Sequence, residues 1–344
     1  MATQGYNTAP SRNLIRAEMK MLKHAETKSV LTNFGDQKQQ PQNKTDTVVF
    51  RRLNPFNMQA NGVPGINPTQ FVLSEGVTPD ANTIGYTDVP ATLEQYGVLF
   101  KLTSKAQLMY EDDIPRDMQK LTGETLGYVQ ELVAYNKFKA GANVIYSNGS
   151  TRAAVNTKIS LAKLRQAART LEANWASKVN SVIKPGPNYD TSAVPESFTV
   201  FCHTDCNADI RDLPGFVPRE KYGSAVKAVH DREFGACEEF RFVNSPLFAP
   251  FLGGGSSTTT GMVATGGAVD VYPMLIIGES AWGHISLKGK DYTGISPTYL
   301  RPTDKNHANP MGQFGYVGAD FWYTPVRLNE NWTTRIETAV SLLT

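Results

Sequence analysis

The sequence predicts an α+β chain, on three observations. One helical stretch of about 26 residues, near 115–140, stands out from everything around it. Apolar runs of strand length stand before it and again at the C-terminal end, with mixed short helices and strands between. No internal repeat is evident. At 344 residues and 37.8 kDa the chain can bury a substantial core. Charged residues are 19 %, below the roughly 25 % of an ordinary soluble domain, as fits a surface partly hidden against other molecules.

Residues 1–47 are polar and rich in Gln, Asn, Thr and Lys. Ile15, Met19, Leu22 and Ala25 recur at helical spacing. A lone amphipathic helix needs an apolar surface to rest on, the protein's own body or a neighbour. Over residues 1–52 nine Lys or Arg face four acids, a net +5; the whole chain is +2, which leaves −3 for the rest. Arg12, Arg16, Lys20 and Lys23 follow at steps of four, four and three, one stripe if that segment is helical. Such a stripe can bind phosphates, pair with acids on a neighbouring subunit, or face water. Arg51 and Arg52 extend the basic text.

From Thr47 the text changes. TVVFRRLNPF predicts a strand broken at Pro55, and TLEQYGVLFKL after Ala91 predicts another. Between them Gly62, Pro64, Gly65, Pro68, Gly76, Pro79, Gly85 and Pro90 rule out long helices. Two extended runs flanking a long polar excursion describe a protruding hairpin with little core of its own. The long helix follows. Pro115 suits its first turn, Asp112, Asp113 and Asp117 favour the positive end of its dipole, Lys137 and Lys139 the other end, and Gly141 stops it. A second amphipathic helix, from Ile159, carries Leu161, Leu164, Ala168, Leu171 and Trp175. A Pro/Gly linker, the strand SFTVFCH, and mixed short elements lead to about Pro310. By composition, Gly253–Gly267 is a flexible surface excursion. QFGYVGADFWYTPVRL and NWTTRIETAV predict closing strands.

Catalytic and metal chemistry find little support. Cys202, His203, Cys206 and Cys237 include ligand types for zinc, but no Cys-x-x-Cys pair exists, and neighbours on a strand point to opposite faces. Three cysteines make no disulfide framework, which suits a reducing compartment. His203 with Asp205 and Asp209, and Ser192 or Ser197 as nucleophile, is the one hydrolase arrangement to weigh; no Gly-x-Ser-x-Gly elbow accompanies it. The Gly253 run lacks the Gly-Lys-Ser/Thr of a phosphate cradle, and helix-dipole complementarity explains Glu111, Asp112 and Asp113 without a cation. The first twenty residues lack a signal-like apolar core, and VYPMLIIG is too short to span a bilayer, so a soluble protein of the cytoplasm is expected, with no cofactor.

Four segments in fixed order carry more information: LSEGVTPD from Leu73, QYGVLFKLTS from Gln95, DLPGFVPREKYG from Asp212 and GQFGYVGADFWY from Gly312. Together they resemble the major capsid protein of N4-like tailed bacteriophages. The likeness covers most of Leu73–Thr338 and is sharpest at Ser74–Gly76, Gln95–Gly97, DIRDLPGFVPREKYG from Asp209 and NPMGQFGYVG from Asn309. Glu233-Phe234-Gly235 stands where the family carries an acidic-Ile/Leu-Gly signal, Gly253–Gly267 reads as a local insertion, and residues 1–47 are unmatched.

The resemblance implies the HK97-like capsid fold: an N-terminal arm at 1–47, an E-loop with flanking strands at 48–104, a P-domain with a long spine helix at 105–158, an A-domain at 159–310, and closing P-domain strands at 311–344. It implies a non-enzymatic shell subunit that self-assembles as pentamers and hexamers around double-stranded DNA, held by non-specific contact. Scaffold, portal and decoration proteins are the further partners it implies, with the virion as destination, the host cytoplasm as the place of assembly, and no membrane. Leu73, Ser74, Glu75, Gly76, Gln95, Tyr96 and Gly97 would lie at the intersubunit E-loop, and Arg12, Arg16, Lys20, Lys23, Arg51 and Arg52 would contact a neighbour or the lumen. Some relatives cross-link through a Lys and an Asn; nothing marks Lys101, Lys105 and Asn82 as such a set, and no cross-link is expected. An encapsulin-type compartment shell is the alternative of the same fold, and a soluble hydrolase using His203 the alternative of another class.

Overall fold

The structure, a computed structural model, describes residues 29–343 except 44, 55–64, 74, 77, 79–81, 112, 185–189, 223–226, 258–260, 289–294, 306 and 308. The basic stripe Arg12, Arg16, Lys20 and Lys23, the helix expected around it, and Ser74 lie outside the described residues.

In chain order the first strands are β1 (Asp36–Gln40), β2 (Thr47–Leu53), β3 (Tyr86–Thr92) and β4 (Glu94–Thr103), then helices α1 (Ser104–Met109) and α2 (Ile114–Lys139), and β5 (Val144–Tyr146). Helix α3 (Leu161–Ala173), β6 (Val179–Lys184), β7 (Asp190–Cys202), α4 (Asn207–Arg211), β8 (Phe216–Pro218), β9 (Glu233–Cys237) and β10 (Phe240–Asn244) follow. The chain ends with β11 (Ala264–Thr265), β12 (Ala268–Val269), β13 (Tyr272–Ile277), β14 (Trp282–Leu287), β15 (Ile295–Leu300), β16 (Phe314–Arg327) and β17 (Thr333–Thr338).

Two sheets organise these elements. The larger runs β5-β17-β13-β7-β10-β9-β8, with β6 also on β7; the smaller runs β1-β14-β16-β15, with β4 also on β16. Every residue of β13 is buried because both faces of the larger sheet are covered. On one face Tyr272, Met274 and Ile276 join Phe198, Val200 and Phe242 against Leu164, Ala167 and Leu171 of α3. On the other, Leu275, Ile277 and Phe201 meet Leu126, Ala134, Tyr135 and Phe138 of α2, together with Phe321 and Tyr323 of the smaller sheet. Strand period 2 sorts these side chains, and helix period 3.6 presents the stripes that cover them.

Helix α2 begins and ends within one residue of expectation. Asp113 accepts the Arg116 N–H at 3.4 Å, and Pro115 occupies the first turn. At its far end Arg335 of β17 donates to the carbonyls of Lys139 and Gly141, groups a helix end leaves open. Twenty-six residues give a rod about 39 Å long.

Four expectations meet the structure. First, part of the segment 1–47 belongs to the body: Val30, Leu31 and Phe34 are buried in the α2 core cluster, and β1 pairs in parallel with β14. Gly35, at φ +89°, makes the turn into β1 where a Cβ would sit 2.7 Å from the Trp282 carbonyl oxygen. Second, the excursion after Leu53 closes on β3, not on the run from Glu94: β2 pairs with β3 from Thr47↔Thr92 to Leu53↔Tyr86, while β4 pairs with β16. Third, sheet membership divides the C-terminal half differently from a boundary at 310. β14 and β15 already belong to the smaller sheet, and β17 returns to the larger one. Fourth, the described part of the Gly253–Gly267 excursion is pinned. Asp270 accepts the Gly253 N–H at 2.7 Å and the Thr265 hydroxyl at 2.8 Å, and a Cβ on Gly255 would meet the Val155 carbonyl oxygen at 2.5 Å.

Candidate assembly surfaces

Among the described residues the β2–β3 hairpin packs on the body at its base. Val48, Ala91 and Leu93 are buried against Ile285 of β14 and Val326 of β16, with Phe50, Val89 and Trp322 partly covered beside them. Farther out, Leu53, Tyr86, Ile84, Phe71, Val72 and Leu73 are exposed, Val72 and Leu73 by 73 % and 71 %. Single exposed apolar side chains are ordinary on a soluble protein; a run of large ones on one projecting arm marks an interaction surface. Glu75 and Gly76 are exposed in the same excursion, Gly76 at φ +76° with open space where a Cβ would be.

The other half of the expected intersubunit set lies elsewhere. Gln95, Tyr96 and Gly97 stand in β4, opposite Trp322, Phe321 and Asp320 of β16. Gln95 Nε2 donates to Asp320 at 2.8 Å, and the Tyr96 ring stacks on Phe321 at 5.7 Å. Burial and a bond to Glu94 push the Tyr96 hydroxyl up to about 12. A Cβ on Gly97 would be 3.3 Å from Asp320 Cβ. The segment packs on β16 within the smaller sheet.

Arg51 and Arg52 point to opposite faces of β2. Arg51 forms a bidentate pair with Asp88 of β3 at 2.8 and 2.9 Å, which raises the guanidinium's pKa and lowers the carboxyl's. It also lies 5.7 Å from the Tyr86 ring. That pair crosses the hairpin and holds its two strands in register.

The described residues between Asp209 and Gly235 gather around a buried carboxylate, Glu233. Glu233 accepts the Tyr222 hydroxyl at 2.7 Å, the Val229 N–H, and Arg241 at 3.4 Å; Arg241 also donates to the Lys227 carbonyl at 2.9 Å. A Cβ on Gly235 would lie 2.1 Å from the Phe216 ring. The Asp-Leu-Pro-Gly-Phe text and the Glu-Phe-Gly text therefore specify one another, ring against glycine.

The catalytic and metal candidates go into structural roles. Cys202 and Cys206 sit in the core against α3, and burial pushes both thiols up. The Cys202 thiol faces the Val243 carbonyl and the Cys237 thiol that of Pro214. Among the described residues no group of three His, Cys, Asp or Glu side chains could hold a metal ion. His203 Nδ1 accepts the Asp205 N–H at 3.2 Å and caps the turn after β7, and Asp205 accepts the Tyr272 hydroxyl at 2.8 Å. Asp209 is occupied by Ser341, which donates its N–H at 2.9 Å and its hydroxyl at 2.6 Å. Ser197 is six residues from His203 along extended chain, about 20 Å, too far for nucleophile and base to meet. Among the described residues no helix is long and apolar enough to cross a membrane.

Two buried charge sites escaped sequence reading. Glu337 of β17 takes a bidentate bond from Arg152 at 2.7 and 2.8 Å and lies 2.8 Å from Arg335. Glu131 of α2 accepts the Leu31 N–H at 2.9 Å. Glu131 falls three residues after Tyr128 and four before Tyr135, a spacing that puts the three along one side of the helix.

No family model and no curated protein matches the sequence. Solved structures do. The chain is similar to the capsid of Ralstonia phage GP4 at TM-score 0.66 and 9 % identity, over 100 % of this chain and 99 % of that one. It is similar to the capsid of Cyanophage P-SCSP1u at TM-score 0.60 and 11 % identity, over 95 % and 93 %. The holo-SrpI encapsulin complex of Synechococcus elongatus matches at TM-score 0.53 and 12 % identity, over 98 % and 96 %. Likeness this complete at identities this low is a likeness of architecture, and the chain has the HK97-like fold.

Proposed function

We propose that this chain is the major capsid protein of a tailed bacteriophage, a non-enzymatic subunit that assembles as pentamers and hexamers into an icosahedral shell around double-stranded DNA. The observation that carries the reading is the hairpin arm: it extends from the smaller sheet, has no buried cluster beyond its base among the described residues, and exposes Val72, Leu73 and Ile84 with Phe71 about half exposed. Such an arm gains burial only from another molecule, and in a homo-oligomer that molecule is a second copy. The architecture shared with phage capsids supports it.

In this reading the arm is the E-loop, with Leu73, Glu75 and Gly76 toward an adjacent subunit and Arg51 and Arg52 on its stem. Gln95–Gly97 then act from beneath, fixing the strand from which the arm departs. The P-domain is α2 with the smaller sheet, and the A-domain is the larger sheet with α3. Each subunit forms several modest contacts, so that breaking one leaves others holding it. The motif set favours the N4-like group among such capsid proteins. Scaffold, portal and decoration proteins are its partners, the virion is its destination, and the basic N-terminal stripe meets a neighbour or the lumen.

The test is expression of the full chain alone, followed by sedimentation and negative-stain electron microscopy. Closed shells, rings or sheets are expected. A monomer that remains monomeric when co-expressed with the proteins encoded beside its gene overturns the reading. A compartment shell of the encapsulin type is the second reading, favoured by the likeness to the Synechococcus complex. Portal and terminase genes beside this one decide for a genome shell, and a cargo enzyme gene decides for a compartment.

A further inference from the structure

Three cations converge on the C-terminal end of α2, and one buried carboxylate answers them. Arg335 of β17 donates to the Lys139 and Gly141 carbonyls and lies 2.8 Å from Glu337. Arg152, between β5 and α3, donates its Nε and Nη2 to the two oxygens of Glu337 at 2.7 and 2.8 Å. Lys139, the last residue of α2, holds its ammonium 4.8 Å from the centre of the Tyr135 ring and 4.9 Å from that of Phe251. The Arg152 guanidinium lies 3.6 Å from the centre of the same Phe251 ring. Ammonium and guanidinium therefore stand no farther apart than those two distances combined. Glu330, close to the same helix end, is already engaged by the Ala142 N–H and by Arg327.

The charges do not balance. Glu337 neutralises one guanidinium, and the open carbonyls at the end of α2 carry a partial negative charge that offsets part of the second. The Lys139 charge remains. Among the described residues its ammonium has no carboxylate partner; it rests on two ring faces, which attract a cation and leave its N–H donors free for an acceptor. Arg152 Nη1 is likewise without an acceptor among the described residues, and the Arg152 side chain is 35 % exposed, so the pair can be reached from solvent. Burial, Arg152 and Arg335 together lower the pKa of Lys139, as expected where like charges crowd a half-buried ammonium.

We propose that Lys139 and Arg152 form, across the Phe251 ring, a binding site for a phosphate group. A tetrahedral group with several anionic oxygens can accept from an ammonium and a guanidinium at once, and its charge matches the excess left after Glu337 is counted. Glu337 fixes Arg152 by two of its donors and turns the third nitrogen outward, so the guanidinium is held in place before a ligand arrives. Tyr135, whose hydroxyl is bound to the Ala249 carbonyl, and Phe251 hold the Lys139 ammonium on the other side. The site uses no residue of the hairpin arm and stands or falls separately from the reading as a shell protein.

The test is titration of the full chain with inorganic phosphate at pH 7 and constant ionic strength, with binding read from the phosphorus-31 NMR line. Lys139→Met keeps the apolar stem and removes the charge. It is expected to weaken binding by about ten-fold or more, the loss of one charge-assisted hydrogen bond. Lys137→Met removes an exposed cation two residues away and is expected to leave binding unchanged. Equal weakening by the two variants, or none by Lys139→Met, overturns the site. Should Lys139→Met not fold, Lys139→Gln replaces it with the same expectation. A short single-stranded oligodeoxynucleotide, titrated in parallel, separates the sources of the group. Lys139-dependent binding of both probes assigns the phosphates of a nucleic acid, binding of the free ion alone assigns a soluble phosphate, and binding of neither overturns the proposal.

Discussion

In the larger sheet, β13 buries all six of its residues between α3 on one face and α2 on the other. In the hairpin arm, β2 and β3 bury Val48 and Ala91 at the base and leave Leu53 and Tyr86 exposed five residues farther on. Both regions are built from strand-forming sequence. The sheet's apolar residues find partners within the chain, whereas those of the arm outnumber the intrachain surface that can cover them. A sequence of one subunit thus contains apolar residues of two kinds, those that make the fold and those that the fold holds out for another molecule. Substitutions in the two regions are expected to separate folding from assembly.

The largest effect on folding belongs to the charged end of the larger sheet. Glu337 is fully buried and serves both Arg152 and Arg335. Glu337→Ala leaves two guanidinium groups without their carboxylate, and breaking a buried pair in this way costs about 3–5 kcal/mol. Urea unfolding of the subunit measures it, and a loss under about 1 kcal/mol would show that water replaces the carboxylate. Phe201→Ala, at the contact between the sheet and α2, is expected to cost about 3–5 kcal/mol by cavity formation. Gly235→Ala comes next, at roughly 1–3 kcal/mol, because the new methyl must displace the Phe216 ring. If Gly235→Ala is silent, the loop from Asp212 yields more easily than the sheet it covers. The comparison would then need a third, intermediate class.

What could be read from the sequence follows the range of the interactions involved. Helix α2 was legible to within one residue because Asp113, Pro115 and Gly141 act locally. The closing strands were legible for the same reason, as alternation is written along each strand. Pairing was not: nothing in TVVFRRL states that its partner is YTDVPAT, which contains Pro90, and not the stronger strand from Glu94. Residues 29–40 were illegible as part of the body. Three buried apolar side chains followed by Asp-Gln-Lys-Gln-Gln carry no periodic signal, and their stability comes from Glu131, a hundred residues away in sequence. The arm could be recognised because closely spaced Gly and Pro between two strand-like runs rule out long helices there. The Gln-Tyr-Gly and Glu-Phe-Gly segments were visible as motifs, but their roles depend on Phe321, Asp320 and Phe216, which only the folded chain brings near.

The smallest expected effect on folding, and the sharpest test of the comparison, lies at the tip of the arm. Val72 and Leu73 are 73 % and 71 % exposed and Phe71 about half exposed, so replacing all three by Ser removes little intrachain burial beyond that of one half-covered ring. Surface changes of this kind ordinarily move stability by no more than about 0.5 kcal/mol each. The triple variant is therefore expected to unfold with the wild-type subunit in urea, far from the behaviour of Phe201→Ala. Assembly should respond in the opposite order. If the arm's apolar run is covered by a neighbouring copy, each subunit loses burial worth roughly 1.5–3 kcal/mol for every large side chain removed. The loss recurs at every contact of a closed shell, so sedimentation should shift from large particles to free subunits. A triple variant that folds and still builds particles in wild-type yield would mean that a copy does not cover these residues. A triple variant that fails to fold would erase the distinction between arm and body, because the arm would then be part of the core it was held to project from.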